Sequence, residues 1–156
     1  AWDGATRAYP SATANLHYEA ELVAVIGEGG KIIGWAVGCD LTRRDLQAEA
    51  KKTGRPWDAA KGFDQSAPCG AVTLGDLPDP AGAITLTVNG ETKQSGVLDD
   101  MILNPERIVE EAGKLWPLEA GDLIFTGTPS GVGPVVKGDK VIVTVAGLET
   151  LSFEVV

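Results

Sequence analysis

The sequence predicts a mixed, β-rich α+β fold with a few short helices. Segments in which apolar and polar residues alternate, as in β-strands, recur along the whole chain, whereas two segments carry the cap and stop signals of helices. The chain has 156 residues, of which 44% are apolar and 22% charged, enough for one domain with its own core. We therefore expect residues 1–156 to form a single domain in which strands outnumber helices.

The first predicted strand covers residues 19–26, within the segment LHYEAELVAVIG. Because side chains alternate between the two faces of a strand, the carboxylates of Glu19 and Glu21 should point the same way. Residues 27–30 (GEGG) predict a turn, and residues 31–40 (KIIGWAVGCD) predict a second strand that ends at Asp40. Asp40 is thus expected beside the two glutamates.

The segment DLTRRDLQAEAKKTGRP predicts a helix over residues 43–53. Thr42, followed three residues later by Asp45, resembles a capping box at its start, and Gly54 supplies a stop signal at its end. Arg44 and Gln47 are three residues apart, so they share one face of this helix, close to Asp40.

Two further elements are predicted from turn and cap residues. ITLTVNGETKQ alternates and contains Asn89-Gly90, a pair favoured in type I′ hairpin turns because both central residues need positive φ. NPERIVEEAGKL places Asn104 at an N-cap and Pro105 at the first helical position, which predicts a short amphipathic helix. The C-terminal third alternates Gly-Asp turns with β-branched runs and predicts more strands.

Charge and cysteine content argue against several classes of partner. Thirteen basic and 22 acidic residues give a net charge of -9, and no basic cluster is present, so we expect no nucleic acid and no membrane surface as partner. Cys39 and Cys69 show neither zinc-site nor disulfide spacing, which favours a cytoplasmic location. The apolar runs are far shorter than the roughly 20 residues that span a bilayer.

Glu19, Glu21 and Asp40 form a candidate metal site. Glutamates two positions apart on one strand face lie about 7 Å apart along the chain. Their repulsion would raise one pKa unless a cation lies between them. Oxygen-only ligands favour Mg²⁺, Mn²⁺ or Ca²⁺ over zinc. The E-x-E pattern alone is more typical of a solvated strand face, the more common environment of glutamate.

Three other features have both a functional and a structural interpretation. The side chains of Arg44 and Gln47 could bind an anionic substrate, although a charged solvent-facing helix is the commoner arrangement. The loop FTGTPSGVGP offers hydroxyls to a carboxylate but is also typical of a plain connection. His17, the only histidine of the chain, is more often structural than a base in such a position. It lies far from Ser130 in sequence, which argues against a catalytic triad.

Seven segments, taken in order, resemble the fumarylacetoacetate hydrolase family: LHYEAEL, CDLTRRDLQ, PWDAAKGFD, VNGETKQ, DDMI, GDLIFTGTPSGVGP and GDKVIVTV. The resemblance extends from about Tyr9 to the C-terminus. Within the family, the segments resemble the acylpyruvase and fumarylpyruvate hydrolase branch. It implies a β-roll catalytic domain, usually homodimeric. Such a domain uses Mg²⁺ or Mn²⁺ to cleave a C–C bond in a small keto-acid such as fumarylpyruvate, which gives pyruvate and a carboxylic acid.

The resemblance also implies roles for individual residues. The positions that match the metal ligands of the family are Glu19, Glu21 and Asp40. The positions that match its catalytic oxyanion-hole residues are Arg44, Gln47 and Lys61. The positions that match its substrate-binding residues are Gly127, Thr128 and again Lys61.

Two departures from the family pattern concern missing segments. Family members carry an upstream lid whose His and Glu activate water, and nothing before Tyr9 matches it, so we expect that lid to be absent from the given sequence. The interval of nineteen residues from Glu21 to Asp40 is shorter than usual, which suggests a missing loop near residues 27–31.

Other functions stay open at this point. Oxaloacetate decarboxylation, keto–enol isomerisation and hydration use the same kind of metal–enolate site in related proteins. A domain that binds a metal or an acid without catalysis is the alternative of another class, because the water-activating base has no match in the chain.

Overall fold

The computed structural model describes residues 5–156, so the first four residues of the predicted domain lie outside it. Its three helices are α1 (Arg44–Thr53), α2 (Asp58–Lys61) and α3 (Pro105–Gly113). Its strands are β1 (Ala5–Arg7), β2 (Leu16–Tyr18), β3 (Ala20–Ile26), β4 (Ile32–Cys39), β5 (Thr42–Arg43), β6 (Thr73–Leu74), β7 (Ala83–Val88), β8 (Glu91–Val97), β9 (Leu123–Phe125), β10 (Gly133–Val135), β11 (Lys140–Val145) and β12 (Leu151–Val155). The predicted β-rich α+β class is confirmed.

The strands form three sheets around one core. The largest has the order β1-β12-β11-β7-β8, the second β6-β4-β3-β9 and the smallest β10-β2-β5. All three contribute side chains to a single buried cluster, which includes Phe153, Leu86, Leu22, Val37 and Leu16. No helix within residues 5–156 is long and apolar enough to cross a membrane.

The first two predicted strands and the turn between them are present, with a different start, and the strands pair as a hairpin. β3 begins at Ala20, and Glu19 occupies the break between β2 and β3, where its carbonyl accepts a hydrogen bond from Asp40 N at 2.8 Å. All residues of β3 are buried, and β4 and β9 pair with its two edges. The predicted turn is confirmed as a short 3₁₀ turn in which Gly29 and Gly30 both have φ 72°.

Helix α1 is confirmed, but the predicted capping box is wrong. The N-cap is Arg43, which makes no side-chain cap. The Thr42 hydroxyl instead donates to Asp40 O at 3.2 Å, and the Asp45 carboxylate accepts from Thr13 Oγ1 at 2.5 Å and from Ala14 N at 2.9 Å. Thr42 is fully buried in β5, so its side chain faces the interior of the protein and not the helix end.

The other local predictions are confirmed. The Asn89-Gly90 turn joins β7 and β8 with φ of 52° and 83°. The Asn104 side chain caps α3 by accepting from Arg107 N at 2.9 Å. Helix α2 was not predicted, and it carries Lys61.

Candidate active site

The carboxylates of Glu19, Glu21 and Asp40, here called the carboxylate cluster, lie together at one end of the β3–β4 hairpin. One oxygen from each residue can be chosen so that all three atoms lie within 4.8 Å of one another. The pairing of Ala20 with Cys39 and the hydrogen bond between Glu19 and Asp40 hold the two chain segments side by side. The three carboxylates that the sequence predicted to be neighbours therefore do lie close together in the structure.

Burial makes this cluster electrostatically unfavourable in the absence of a cation. Glu19 is 8% exposed and Glu21 is 4% exposed. Burial raises the pKa of Glu21 to about 7, with further upward contributions from Asp40 and Glu19, against the opposing hydrogen bond from Gly127 N. Burial also raises the pKa of Asp40, although Lys61 opposes the shift. These glutamates therefore do not lie on the solvated strand face that the E-x-E pattern also allowed.

Lys61 reaches the cluster from α2. Its ammonium donates to Glu19 Oε2 at 2.7 Å, to Asp40 Oδ2 at 2.5 Å and to Thr42 Oγ1 at 2.8 Å. Burial alone would lower the pKa of Lys61, but the two carboxylates outweigh it and the pKa is raised. Lys61 is therefore a charged donor placed between two of the three carboxylates.

Arg44 approaches Glu19 from the first turn of α1. Its guanidinium donates to Glu19 Oε1 at 2.5 Å and to Gln47 Oε1 at 2.6 Å, and its Nε lies 3.2 Å from His17 Nδ1. Gln47 is buried, 3% exposed. The predicted shared face of Arg44 and Gln47 is confirmed, and it faces the cluster.

His17 has partners at both ring nitrogens. Its Nδ1 faces the Nε–H of Arg44 and its Nε2 lies 3.0 Å from Asn15 Oδ1. Burial and the charge of Arg44 lower the pKa of His17, against the opposing effect of Glu19. A neutral imidazole with an acceptor at Nδ1 fits these contacts, which orient Arg44 and support the structural interpretation of His17.

The loop of residues 126–130 forms another wall of the site. Strand β9 pairs with β3 and delivers the loop to the cluster, where Gly127 N donates to Glu21 Oε2 at 2.7 Å. Gly127 has φ 99°, a conformation that favours glycine. The Thr126 hydroxyl donates to Leu22 O at 2.8 Å, and Thr128 Oγ1 accepts from Gln94 at 2.8 Å. The loop is therefore part of the site, not a remote connection.

Glu21 differs from the other two carboxylates. Arg44 and Lys61 form ion pairs with Glu19, and Lys61 forms one with Asp40. In the described part of the chain, no lysine or arginine forms an ion pair with Glu21. The cluster thus holds three acidic groups against two basic ones, and the excess charge lies at Glu21.

Two cavities lie near these elements. One of about 620 Å³ is bordered by the loop residues Gly127 and Thr128 and by apolar side chains such as Met101 and Ile108. A larger one of about 730 Å³ lies between β4 and α3, and neither cavity is lined by any of the three carboxylates. Cavity volume therefore does not identify the site; the charged side chains of the carboxylate cluster, Lys61 and Arg44 do.

Sequence analysis missed two polar residues of this region. Thr42 touches Lys61 although it was interpreted as a cap, and Gln94 reaches the loop from β8. Gln94 lies in the polar segment ETKQSGV, where most side chains are exposed, and no local pattern distinguishes it from its neighbours.

Comparison with known proteins agrees with this geometry. The family profile described as fumarylacetoacetate (FAA) hydrolase C-terminal matches residues 2–156. A fumarylpyruvate hydrolase of Ralstonia sp. is 45% identical, over 97% of this chain and 85% of its own length. That alignment covers 163 positions, seven more than the chain has residues, so the relative carries residues in this region that the chain lacks. The position of the shortening near residues 27–31 stays a prediction.

Two further relatives differ in their named activity. The crystal structure of a fumarylpyruvate hydrolase from Pseudomonas aeruginosa in complex with Mn²⁺ and pyruvate superposes with a TM-score of 0.93, at 42% identity, over 98% of this chain and 71% of that one. The mitochondrial oxaloacetate tautomerase of Mus musculus is 39% identical, over 98% of this chain and 75% of its own length. On these matches, the chain belongs to the fumarylacetoacetate hydrolase family.

Proposed function

We propose that this protein is a divalent-metal-dependent hydrolase that cleaves the C–C bond of acylpyruvates, such as fumarylpyruvate, to pyruvate and a carboxylic acid. The observation that carries the proposal is the convergence of three carboxylates, two of them buried, with Lys61 and Arg44 in direct contact. The likeness to a fumarylpyruvate hydrolase, and to a structure that contains Mn²⁺ and pyruvate, supports the same substrate class.

The carboxylate cluster would hold the metal ion. Its donor set consists of oxygen atoms, which suits Mg²⁺ or Mn²⁺, with Ca²⁺ as a possible substitute. The buried Glu21, which has a raised pKa and forms no ion pair within residues 5–156, is the feature that a cation would compensate. When bound, such an ion supplies Lewis-acid polarisation of the keto-acid oxygens and stabilises negative charge on them.

The residues around the cluster provide the hydrogen-bond donors for this reaction. The hydroxyl of Thr128 would bind the substrate carboxylate beside Gly127. Lys61 and Arg44, which contact Glu19, and Gln47, which contacts Arg44, would stabilise the negative charge that develops on the attacked carbonyl. Lys61 contacts Glu19 and Asp40, two of the three carboxylates that would hold the ion, so its ammonium would lie close to a substrate bound to that ion.

A second candidate function is keto–enol tautomerisation of oxaloacetate. Hydrolysis and tautomerisation both require a base, but only hydrolysis also requires an attacking water. Tautomerisation moves a proton between carbon and oxygen without attack by water. The 39% identity to an oxaloacetate tautomerase favours this candidate over decarboxylation or hydration.

A steady-state assay separates these functions. Fumarylpyruvate, acetylpyruvate and oxaloacetate are each tested with Mg²⁺ and with Mn²⁺, with the Glu21→Gln variant as the inactive control. Formation of pyruvate from the acylpyruvates supports the hydrolase. Decay of the enol absorbance of oxaloacetate, without pyruvate formation, supports the tautomerase. Inactivity of the wild-type protein on all three substrates would contradict both and favour the non-catalytic binding domain. Light scattering of the same sample tests the predicted homodimer.

A further inference from the structure

Gln94 connects the metal-binding strand to the substrate loop. It lies on β8 of the five-stranded sheet and is 1% exposed. Its Oε1 accepts from Ala20 N, between the two glutamates of the cluster, at 2.9 Å. Its Nε2 donates to Thr128 Oγ1 and to Pro129 O, both at 2.8 Å. One side chain thus joins the two segments between which a substrate would bind.

The partners of Gln94 fix the orientation of its amide. Ala20 N–H can only donate, so it must face the amide oxygen, and Pro129 O can only accept, so it must face the amide nitrogen. The group that meets Thr128 Oγ1 is therefore an N–H donor. Exchange of the amide oxygen and nitrogen would break the contacts with both backbone groups.

This orientation determines what the Thr128 hydroxyl can do. A hydroxyl group has one proton and two acceptor lone pairs, and one lone pair of Thr128 Oγ1 already receives the N–H of Gln94. Its own proton is left to donate to another acceptor. A carboxylate oxygen is the strongest such acceptor, since hydrogen bonds to charged groups are the shorter and stronger ones.

The loop itself has anchors that do not involve Gln94. Thr126 and Gly127 bind the backbone of Leu22 and the side chain of Glu21. Gly131 packs so tightly on β8 that an added Cβ would lie 2.4 Å from Lys93 O. Gln94 also binds the loop at Pro129 O, but since these other contacts hold the loop as well, the contribution that only Gln94 makes is the direction of the Thr128 hydroxyl.

We propose that Gln94 is a positioning residue that directs the hydroxyl proton of Thr128 toward the carboxylate of the keto-acid substrate. The proposal rests on the proposed function, since it requires Thr128 to bind that carboxylate. Gln94 does not itself touch the substrate; it acts through Thr128.

The test replaces Gln94 with methionine, which has a similar shape but cannot form these hydrogen bonds. With Mn²⁺ at saturation, we expect Gln94→Met to weaken pyruvate and oxalate binding about tenfold, as for the loss of a hydrogen bond to a charged group. KM should rise by a similar factor, whereas kcat and Mn²⁺ affinity should change less than pyruvate binding does. Thr85→Val is the matched control, because it removes the hydroxyl contact with Thr144 elsewhere in the same sheet. This control should bind pyruvate like the wild type.

A double-mutant cycle with Thr128→Val shows whether Gln94 acts through Thr128. We expect Thr128→Val and the double variant Gln94→Met/Thr128→Val to bind pyruvate equally weakly. An equal loss on changing Gln94 in both backgrounds, or no loss in the single Gln94 variant, would overturn this inference alone. Unchanged pyruvate binding by Thr128→Val would contradict the role of Thr128 in the proposed function.

A second substitution covers the case in which Gln94→Met does not fold. Gln94→Asn keeps the amide but is one methylene shorter, so it cannot reach both Ala20 N and Thr128 Oγ1. The same weakening of pyruvate binding, lost in the Thr128→Val background, is expected. Wild-type affinity of a folded Gln94→Asn protein would overturn the inference.

Discussion

Two networks of ion pairs in this protein have similar interatomic distances, but their side chains differ in exposure to solvent. The first is the carboxylate cluster with Lys61 and Arg44, whose ion pairs are 2.5–2.7 Å long between side chains that are 11–26% exposed. The second, here called the helix network, lies on α3 and consists of Arg107, Glu110, Glu111 and Lys114. Its shortest pairs are 2.6–2.8 Å long, between side chains that are 42–54% exposed.

The two networks differ in the burial of their side chains and in the balance between acidic and basic groups. The helix network pairs two acids with two bases at i,i+3 and i,i+4 spacing, which any exposed charged helix can do. Such pairs contribute little to stability because water screens them. The carboxylate cluster combines residues from separate segments and has one acid in excess. Since burying an uncompensated charge is costly, this imbalance, and not the short distances, indicates a cation site.

The largest expected effect is that of Glu21→Gln. Removal of the unpaired carboxylate should weaken Mg²⁺ and Mn²⁺ binding by more than about 100-fold, since loss of even an outer-shell partner costs about 10- to 100-fold. Activity should be lost with it. The metal-free protein should not be destabilised, because Glu21 has a raised pKa and its charged form is unfavourable there. Calorimetric titration and thermal unfolding measure both effects.

The matched control for this variant is Glu110→Gln in the helix network. It should leave cation binding and activity as in the wild type. If Glu21→Gln bound Mn²⁺ as tightly as Glu110→Gln does, the excess buried acid of the carboxylate cluster would not indicate a cation site.

Lys61→Met should separate catalysis from cation binding. Loss of this donor should lower kcat by about 10²- to 10³-fold, as for other preorganised donors to an oxyanion. Metal affinity should be retained, because Lys61 and a cation compete for Glu19 and Asp40. Steady-state kinetics at saturating Mn²⁺ and calorimetry test this, with Lys114→Met as the control. A Lys61→Met protein that cannot bind Mn²⁺ would show that Lys61 supports the ligands and not the reaction.

Smaller losses are expected for the residues of α1 that face the cluster. Arg44→Ala and Gln47→Ala should each lower turnover by about 10- to 100-fold, because each removes hydrogen bonds near a charged group. Their metal affinities should change far less than that of Glu21→Gln. Arg107→Ala in the helix network is the control for Arg44→Ala. Equal turnover of Arg44→Ala and Arg107→Ala would exclude Arg44 from the reaction.

Metal binding should depend on pH through Glu21. Burial raises the pKa of Glu21 to about 7, so this group is protonated in much of the metal-free protein below that pH. The proton must leave before the oxygen can bind a cation, so Mn²⁺ affinity should fall about tenfold per unit as the pH drops below 7. Calorimetry at pH 6 and pH 8 measures this. Equal Mn²⁺ affinity at pH 6 and pH 8 would contradict the raised pKa of Glu21.

The smallest effect is expected from the helix network itself. Glu111→Gln should shift the melting temperature by about 1 °C or less in physiological salt, and the difference should vanish at high salt. Thermal scans at two salt concentrations check this. A shift of several degrees would mean that solvent exposure does not weaken these ion pairs.

Local signals were sufficient to predict much of the fold. The Asn89-Gly90 turn and the Asn104 cap depend on residues next to one another in sequence, and both are confirmed. The β3–β4 hairpin follows from two predicted strands separated by a glycine-rich turn, and it brings Asp40 to the two glutamates. These predictions succeeded because their physical causes lie within a few residues.

The remaining features depend on distant contacts. Thr42 and Asp45 have the spacing of a capping box, but Lys61 and Asp40 bind the hydroxyl of Thr42, and the segment before β2 binds Asp45. Gln94 meets partners that are 74 and 34 positions away. Lys61 was identified by family resemblance, since nothing in its own short helix indicates contact with Glu19. Such contacts arise only when the sheets assemble.

The position of Mn²⁺ in crystals of the protein, located by its anomalous scattering, tests the proposed metal site directly. We expect one strong peak bounded by oxygen atoms of Glu19, Glu21 and Asp40, and loss of that peak in Glu21→Gln crystals. A peak elsewhere in the wild-type protein, or none at the carboxylate cluster at saturating Mn²⁺, would contradict the proposed metal site.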